Sequence, residues 1–229
     1  VAGRRIDAIL IDFYGTISAG DREAVEAACR RIVETCSLPL SAQKLAIRWG
    51  NRFFEFIERS NHEAFQTLYE CEKASLTAIL ADFGVAADPA PLVAELEEYW
   101  INPPIYPDAL DFLDSIGLPL CCVSNADTKP LTAAIEKQNL HFDAVISSES
   151  ARCYKPDPKI FRQAIRLLGV EPDRAVHVGD SLHSDIAGAT GAGIANVWLC
   201  RDSRIHDVGN CHPDYSIRTL AEFRDILGI

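Results

Sequence analysis

Hydrophobic positions along this chain follow two rhythms. Short apolar runs occur at Ala8–Ile11, 119–123, 143–147, 175–178 and 195–199, with a shorter one at 215–217. Runs of that length, broken by Gly, Pro, Asp or Ser, are the pattern of buried strands. Between them the spacing changes to that of amphipathic helices, at 108–116, 128–139, 158–168, 185–192 and 219–227. Strands alternating with helices imply a parallel sheet covered on both faces. The expected fold is therefore α/β, a doubly wound parallel sheet.

A wholly helical stretch separates the first strand from the others. Residues 21–36 put Val25, Ala28, Cys29, Ile32 and Cys36 on one face. A second helix follows the plausible cap Ser41, with Leu45, Trp49, Phe53, Phe56 and Ile57 as its apolar stripe. Residues 63–83 read as a third helix closed by Gly84, and residues 89–100 as a fourth entered at Asp88-Pro89. Asn102-Pro103-Pro104 and Pro107 then punctuate the chain. The expected division is a core of residues 1–18 and 107–229 with an inserted helical cap at 19–106. In such a core a ligand site belongs at the carboxyl ends of the strands. The cap would lie over it and exclude water.

Composition narrows the partners. The 229 residues are 48% hydrophobic, enough for one good core and a smaller second lobe. A net charge of -11 favours neither nucleic acid nor an anionic membrane, which would want a basic patch. An acidic protein that binds phosphate must supply local positive charge. No apolar run approaches the ~20 residues of a transmembrane helix. The apolar stretch near the start is short and holds Asp7 and Asp12, unlike a signal peptide. It reads as the first strand of a cytoplasmic protein. Eight cysteines form no C-x-x-C pair and no zinc spacing with histidine. They read as small buried hydrophobes in a reducing compartment.

Four stretches carry candidate chemistry. Asp12 ends the first strand, and Gly15 and Thr16 follow it. A carboxylate held there can attack phosphorus or an electrophilic carbon, or simply satisfy loop amides. Ser124-Asn125 closes the second strand; a hydroxyl and free amides make an anion pocket, or an ordinary turn. Lys155, stiffened by Pro156, can balance carboxylates and grip an anionic group, although most lysines are solvated. Asp180, in Gly179-Asp180-Ser181, and Asp185 are hard oxygen donors suited to Mg²⁺; Asp185 can equally serve the dipole of the next helix. His177 reads as packed within its strand and His183 as loop surface, both poor metal ligands. Arg48, Arg52 and Arg59 share a stripe that could face the site and hold a second anionic group. A solvated face offset by Glu55 and Glu58 is the favoured reading.

These stretches stand in the order and spacing of a known family. Asp12-Phe-Tyr-Gly-Thr16, Ser124-Asn125, Lys155-Pro156-Asp157-Pro158 and Gly179-Asp180-Ser181-x-x-x-Asp185 resemble the haloacid dehalogenase-like (HAD) hydrolases. The resemblance includes the cap inserted after the first motif and the closing Pro213-Asp214-Tyr215. It implies a Rossmann-like core and Asp12 as nucleophile. Ser124, the amide of Asn125, and Thr16 would bind the phosphoryl or carboxylate group, and Lys155 would stabilise Asp12 and the transition state. Mg²⁺ would be held by Asp12, Asp180 and the backbone carbonyl of Tyr14, with Asp185 supporting the site.

Tyr14 departs from the family's phosphatases, most of which resemble one another in carrying a second aspartate there as general acid. Losing such an acid typically costs ~10²–10⁴-fold, and a tyrosine is a poor base at neutral pH. Dehalogenases of the family are similar to this chain in having tyrosine at that place, and they need no metal. They look unlike it at Asp180, where they carry uncharged residues. The expectation is a Mg²⁺-dependent phosphohydrolase acting on a small phosphorylated metabolite through an aspartyl-phosphate. The alternative is a metal-independent 2-haloacid dehalogenase, and the third is a non-catalytic binding protein on the same scaffold.

Overall fold

The computed structural model describes residues 5–201 and 211–228. Its strands are β1 (Ala8–Ile11), β2 (Leu120–Ser124), β3 (Ala144–Ser147), β4 (Ala175–Gly179), β5 (Ala195–Leu199) and β6 (Tyr215–Ile217). They form one sheet in the order β3-β2-β1-β4-β5-β6, every pair parallel. β1 lies at the centre, where the winding reverses, with Ile11 in register with Cys122 on one side and Val178 on the other. The residues just beyond β1 and β4 and at the end of β2 (Asp12, Asp180 and Ser124) are thereby brought to one edge of the sheet.

Period-2 alternation sorts side chains to the two faces. Ile9, Ile11, Cys122, Val176 and Val178 pack against α5 (Pro107–Ser115), α6 (Thr128–Lys137) and α10 (Leu220–Leu227). Leu10, Cys121 and Val123 pack against α8 (Pro158–Leu168) and α9 (Ala187–Ala192). Cys121 and Cys122 point to opposite faces, as their adjacency in a strand requires. Each fully buried Ile, Leu or Phe contributes about 1.5–3 kcal/mol of transfer free energy. α8 begins and ends on local signals: Asp157 accepts from the amide of Lys159, Pro158 opens the first turn, and Gly169 closes the helix at φ 67°.

Between β1 and β2 lie α1 (Asp21–Cys36), α2 (Ala42–Arg59), α3 (Leu68–Asp82) and α4 (Ala90–Ile101). They enclose a separate apolar cluster that includes Ala28, Ile32, Leu45, Trp49, Leu76 and Leu96. The helix expected over 63–83 is shorter than its periodicity suggests. Residues 62–64 form a single 3₁₀ turn, and α3 starts only at Leu68. Thr67 sets that start with a reciprocal capping box: its hydroxyl accepts from the Glu70 amide, and the Glu70 carboxylate accepts from the Thr67 amide. The helix expected over 185–192 is likewise divided, a π-turn at Leu182–Ile186 leading into α9. No helix among the described residues is long and apolar enough to cross a membrane.

Candidate active site

Asp12 follows β1 directly, and its amide donates to the Val178 carbonyl at 3.0 Å, which ties the loop to β4. Gly15 then takes φ 87°, a left-handed turn that side chains disfavour. Lys155 arrives from the far side of β2. Its ammonium donates to Asp12 Oδ1 (2.6 Å), Asp185 Oδ1 (2.7 Å) and the Val123 carbonyl (3.0 Å), so all three of its protons are used. Asn125 fixes the loop that carries it: the Lys155 amide donates to Asn125 Oδ1 at 2.7 Å, and Asn125 Nδ2 donates to the Lys155 carbonyl at 3.1 Å.

Asp185 has several donors. Besides Lys155 it meets His177 Nε2 at 2.9 Å and accepts from the Ser181 amide at 3.0 Å. Its side chain lies so close to β4 that a Cβ on Gly179 would stand 2.2 Å from Asp185 Cγ. Only glycine allows this approach. Burial alone would raise Asp185, but Lys155 and His177 outweigh it and hold the carboxyl below the usual range. Burial also opposes the charge on Lys155, which Asp12 and Asp185 nonetheless keep above the ordinary lysine value. Asp12 has the weaker share: burial pushes its carboxyl up, Asp185 adds to that, and Lys155 offsets only part. Its Oδ2 is buried without a hydrogen-bond partner among the described residues, as is Ser124 Oγ. Oxygens of Asp12, Asp180 and Asp185 lie within 4.8 Å of one another. Three carboxylates with one lysine form a set of hard donors that a divalent cation fits.

A cavity of about 410 Å³ opens from this cluster toward the helices. Asp12, Tyr14, Ser124, Asn125, Lys155, Asp180 and Asp185 all line it. Thr16 does not: it is fully buried behind the wall with Oγ1 unpartnered among the described residues, and its carbonyl accepts from Arg201. The arginine stripe of α2 also lies elsewhere. Arg48 stacks over the Phe83 ring, Arg52 pairs with Glu55 and Asp82, and Arg59 is exposed. Lys155 is the only basic side chain on the cavity wall among the described residues.

Tyr14 joins the two sides. Its hydroxyl donates to the Trp100 carbonyl of α4 at 2.6 Å, and its ring meets the Trp100 ring edge-on at 4.9 Å. Burial pushes the phenol above the usual tyrosine range, so it stays protonated and holds its proton tightly at neutral pH. Its geometry is that of a strut.

Of three further residues on or beside this cavity, His177 is packed within its strand as its sequence context suggests, and Asp127 and Glu72 were not singled out from the sequence. His177 braces Asp185 and packs edge-on against Phe161 at 4.9 Å. Asp127 precedes α6 but makes no cap bond there. Its two oxygens accept instead from the amides of Leu68 and Tyr69, at 2.7 and 3.0 Å, and so cap α3 from across the cavity. Glu72 of α3 is 4% exposed, lines the cavity, and accepts from Trp100 Nε1 at 3.1 Å. Burial pushes it up to about 8. His177 stands eight residues before Asp185 on a strand whose end is a motif, which is the one signal that could have marked it.

Comparison with known proteins gives this arrangement a family. The chain is 35% identical over 124 residues to phosphoserine phosphatase of Thermus thermophilus, covering 52% of this chain and about half (49%) of that one. It is 25% identical over 228 residues to (S)-2-haloacid dehalogenase H-109 of Pseudomonas putida, covering 97% and 98%. The fold matches a HAD-hydrolase from Bacillus subtilis bound to magnesium, with a TM-score of 0.80, 24% identity, and 99% and 100% of the two chains covered. The model of the haloacid dehalogenase-like hydrolases matches residues 6–193, and the chain belongs to that hydrolase family.

Proposed function

We propose that this hydrolase is a Mg²⁺-dependent phosphatase of small organic phosphates, working through an aspartyl-phosphate at Asp12. The observation that carries the reading is the grouping of Asp12, Asp180 and Asp185 within 4.8 Å of one another, two of them, Asp12 and Asp185, on one buried ammonium. Asp12 and Asp180, with the Tyr14 carbonyl, would hold the ion, and Asp185 would brace the site through Lys155 and His177. When bound, the ion offsets carboxylate charge and draws charge from the phosphoryl oxygens.

The chain's own residues supply the rest. An Asp12 oxygen attacks phosphorus and forms the acyl phosphate, while the bond to the leaving oxygen breaks with its electron pair. Ser124 Oγ and the Asn125 amide receive phosphoryl oxygens, and Lys155 offsets the charge that develops on them. Water then cleaves the acyl phosphate and returns Asp12 as a carboxylate. Tyr14 offers no proton to the leaving group, which favours acyl or aryl phosphates over alkyl ones.

A second reading has its own support. Tyr14 and the end-to-end similarity to a 2-haloacid dehalogenase favour attack on a halogen-bearing carbon, with halide leaving unprotonated. Against it stand the retained Asp180 and a wall with no free basic group, among the described residues, for the substrate's carboxylate. The test is phosphate release from acetyl phosphate and 4-nitrophenyl phosphate with Mg²⁺ or EDTA, run beside halide release from 2-chloropropionate. The expected result is Mg²⁺-stimulated phosphate release, reduced by about 10³-fold or more in Asp12→Asn. Halide release in EDTA without phosphate release would establish the second reading.

A further inference from the structure

The part of the cavity away from Asp12 has a composition that the phosphatase reading does not require. Its wall is aromatic, with Trp49, Phe53, Phe54, Tyr69 and Trp100. Its charged groups on the helical side are acids, chiefly Glu72 and Glu97. Glu72 is the unusual one: a 4% exposed carboxyl on the wall of a cavity, in none of the ion pairs formed among the described residues. One tryptophan N–H is its donor, and Asp127 and Glu97 are near enough to disfavour its charge. A buried carboxyl without a cation costs several kcal/mol. A nearby apolar side chain would avoid that cost, so its retention on a cavity wall points to a ligand that supplies what is missing.

Lys155 cannot supply it, because its three protons are bound to Asp12, Asp185 and Val123. We propose, resting on the phosphatase reading, that the substrate is a phosphomonoester with an apolar, preferably aromatic, body that carries an amine. Glu72 is the specificity residue that receives this ammonium. The aromatic wall adds cation–π attraction to the same group. A substrate with a second anionic group is disfavoured, because Glu72 and Glu97 meet it and no free basic side chain among the described residues does.

Three aryl phosphates of matched size test this: 4-(2-aminoethyl)phenyl, 4-ethylphenyl and 4-(2-carboxyethyl)phenyl phosphate, each with Mg²⁺. The amine should have a KM lower than the neutral ester by about tenfold, and the carboxylate a higher one. Glu72→Gln can still accept from Trp100 Nε1, and it should bring the amine-to-neutral ratio close to one. A second measurement does not depend on turnover. Quenching of Trp49 and Trp100 fluorescence by the phosphate-free 2-(4-ethylphenyl)ethylamine should exceed that by 3-(4-ethylphenyl)propionate. Turnover of all three esters with equal KM overturns the amine site and leaves the phosphatase reading standing. Preferential amine binding with no ester hydrolysed overturns the phosphatase reading alone. Equal quenching by amine and carboxylate overturns the amine site whatever the turnover.

Discussion

On the sheet side of the cavity one buried ammonium ties two carboxylates together. Lys155 lies 2.6 Å from Asp12 and 2.7 Å from Asp185, and His177 and the Ser181 amide complete the bonding of Asp185. On the helical side Glu72 has a single tryptophan donor, amid aromatic rings. Both sides bury carboxyl groups, but only the first holds two of them, Asp12 and Asp185, on a shared ammonium that fixes their geometry. The contrast separates two tasks. A reacting group must be held in one place before substrate arrives, whereas a group that recognises a substrate can be left for that substrate to complete. Tyr14 and Asp127 span the gap, one reaching from the sheet loop to Trp100 and the other capping α3.

The sharpest way to break this contrast is to return a proton donor to the sheet side. Tyr14→Asp should raise turnover of unactivated alkyl phosphates relative to aryl phosphates by ~10²–10⁴-fold, if the missing acid is what limits them. A ratio of alkyl to aryl kcat unchanged from wild type would show that Tyr14 is not the limitation. The next effect comes from disturbing geometry without removing any charge. Gly179→Ala forces a Cβ into Asp185; displacing the Lys155–Asp185 pair should lower kcat by about 10²-fold with little change in KM.

The helical side should reveal itself in stability rather than rate. Glu72 is protonated in the folded chain up to about 8, held there by burial first and then by Asp127 and Glu97, against the ordinary glutamate value of 4.5 when unfolded. Between those values the unfolded state binds fewer protons. Stability contributed through this group therefore falls as pH rises from about 4.5 to about 8, by ~4 kcal/mol in all. Denaturant unfolding across that range should show the slope, and Glu72→Gln should flatten it. The smallest effect belongs to the tether. Asp127→Ala removes the second cap of α3, leaves the Thr67–Glu70 box in place, and should cost about 1 kcal/mol, read as a lowered unfolding midpoint.

Much of the core was legible because its signals are local. A run such as Ala8–Ile11 can hardly be anything but a buried strand in a chain of this pattern, and Asp12 follows it. Asp157, Pro158 and Gly169 mark α8 at both ends. The stretch 63–83 misled because its apolar periodicity continues through residues that the Thr67–Glu70 capping box excludes from the helix. Asp127 gives no local signal of its role. Its position before α6 is that of an ordinary cap, yet its acceptors serve a helix some sixty residues earlier.

By itself the sequence determined the order of strands and helices and the four stretches that meet at the site, since hydrophobic period and short turn signals act over a few residues. It also carried the family resemblance that the comparisons bear out. Only the tertiary structure decided what each polar group faces. Glu72 is one acid among many until α3 and α4 pack it against Trp100. Thr16 is a candidate ligand until the loop buries it behind the cavity wall. The Arg48, Arg52 and Arg59 stripe has two possible faces until α2 docks. Burial and partner identity depend on residues distant in the chain, and those two quantities decide whether a carboxyl is a nucleophile, a brace or a recognition group.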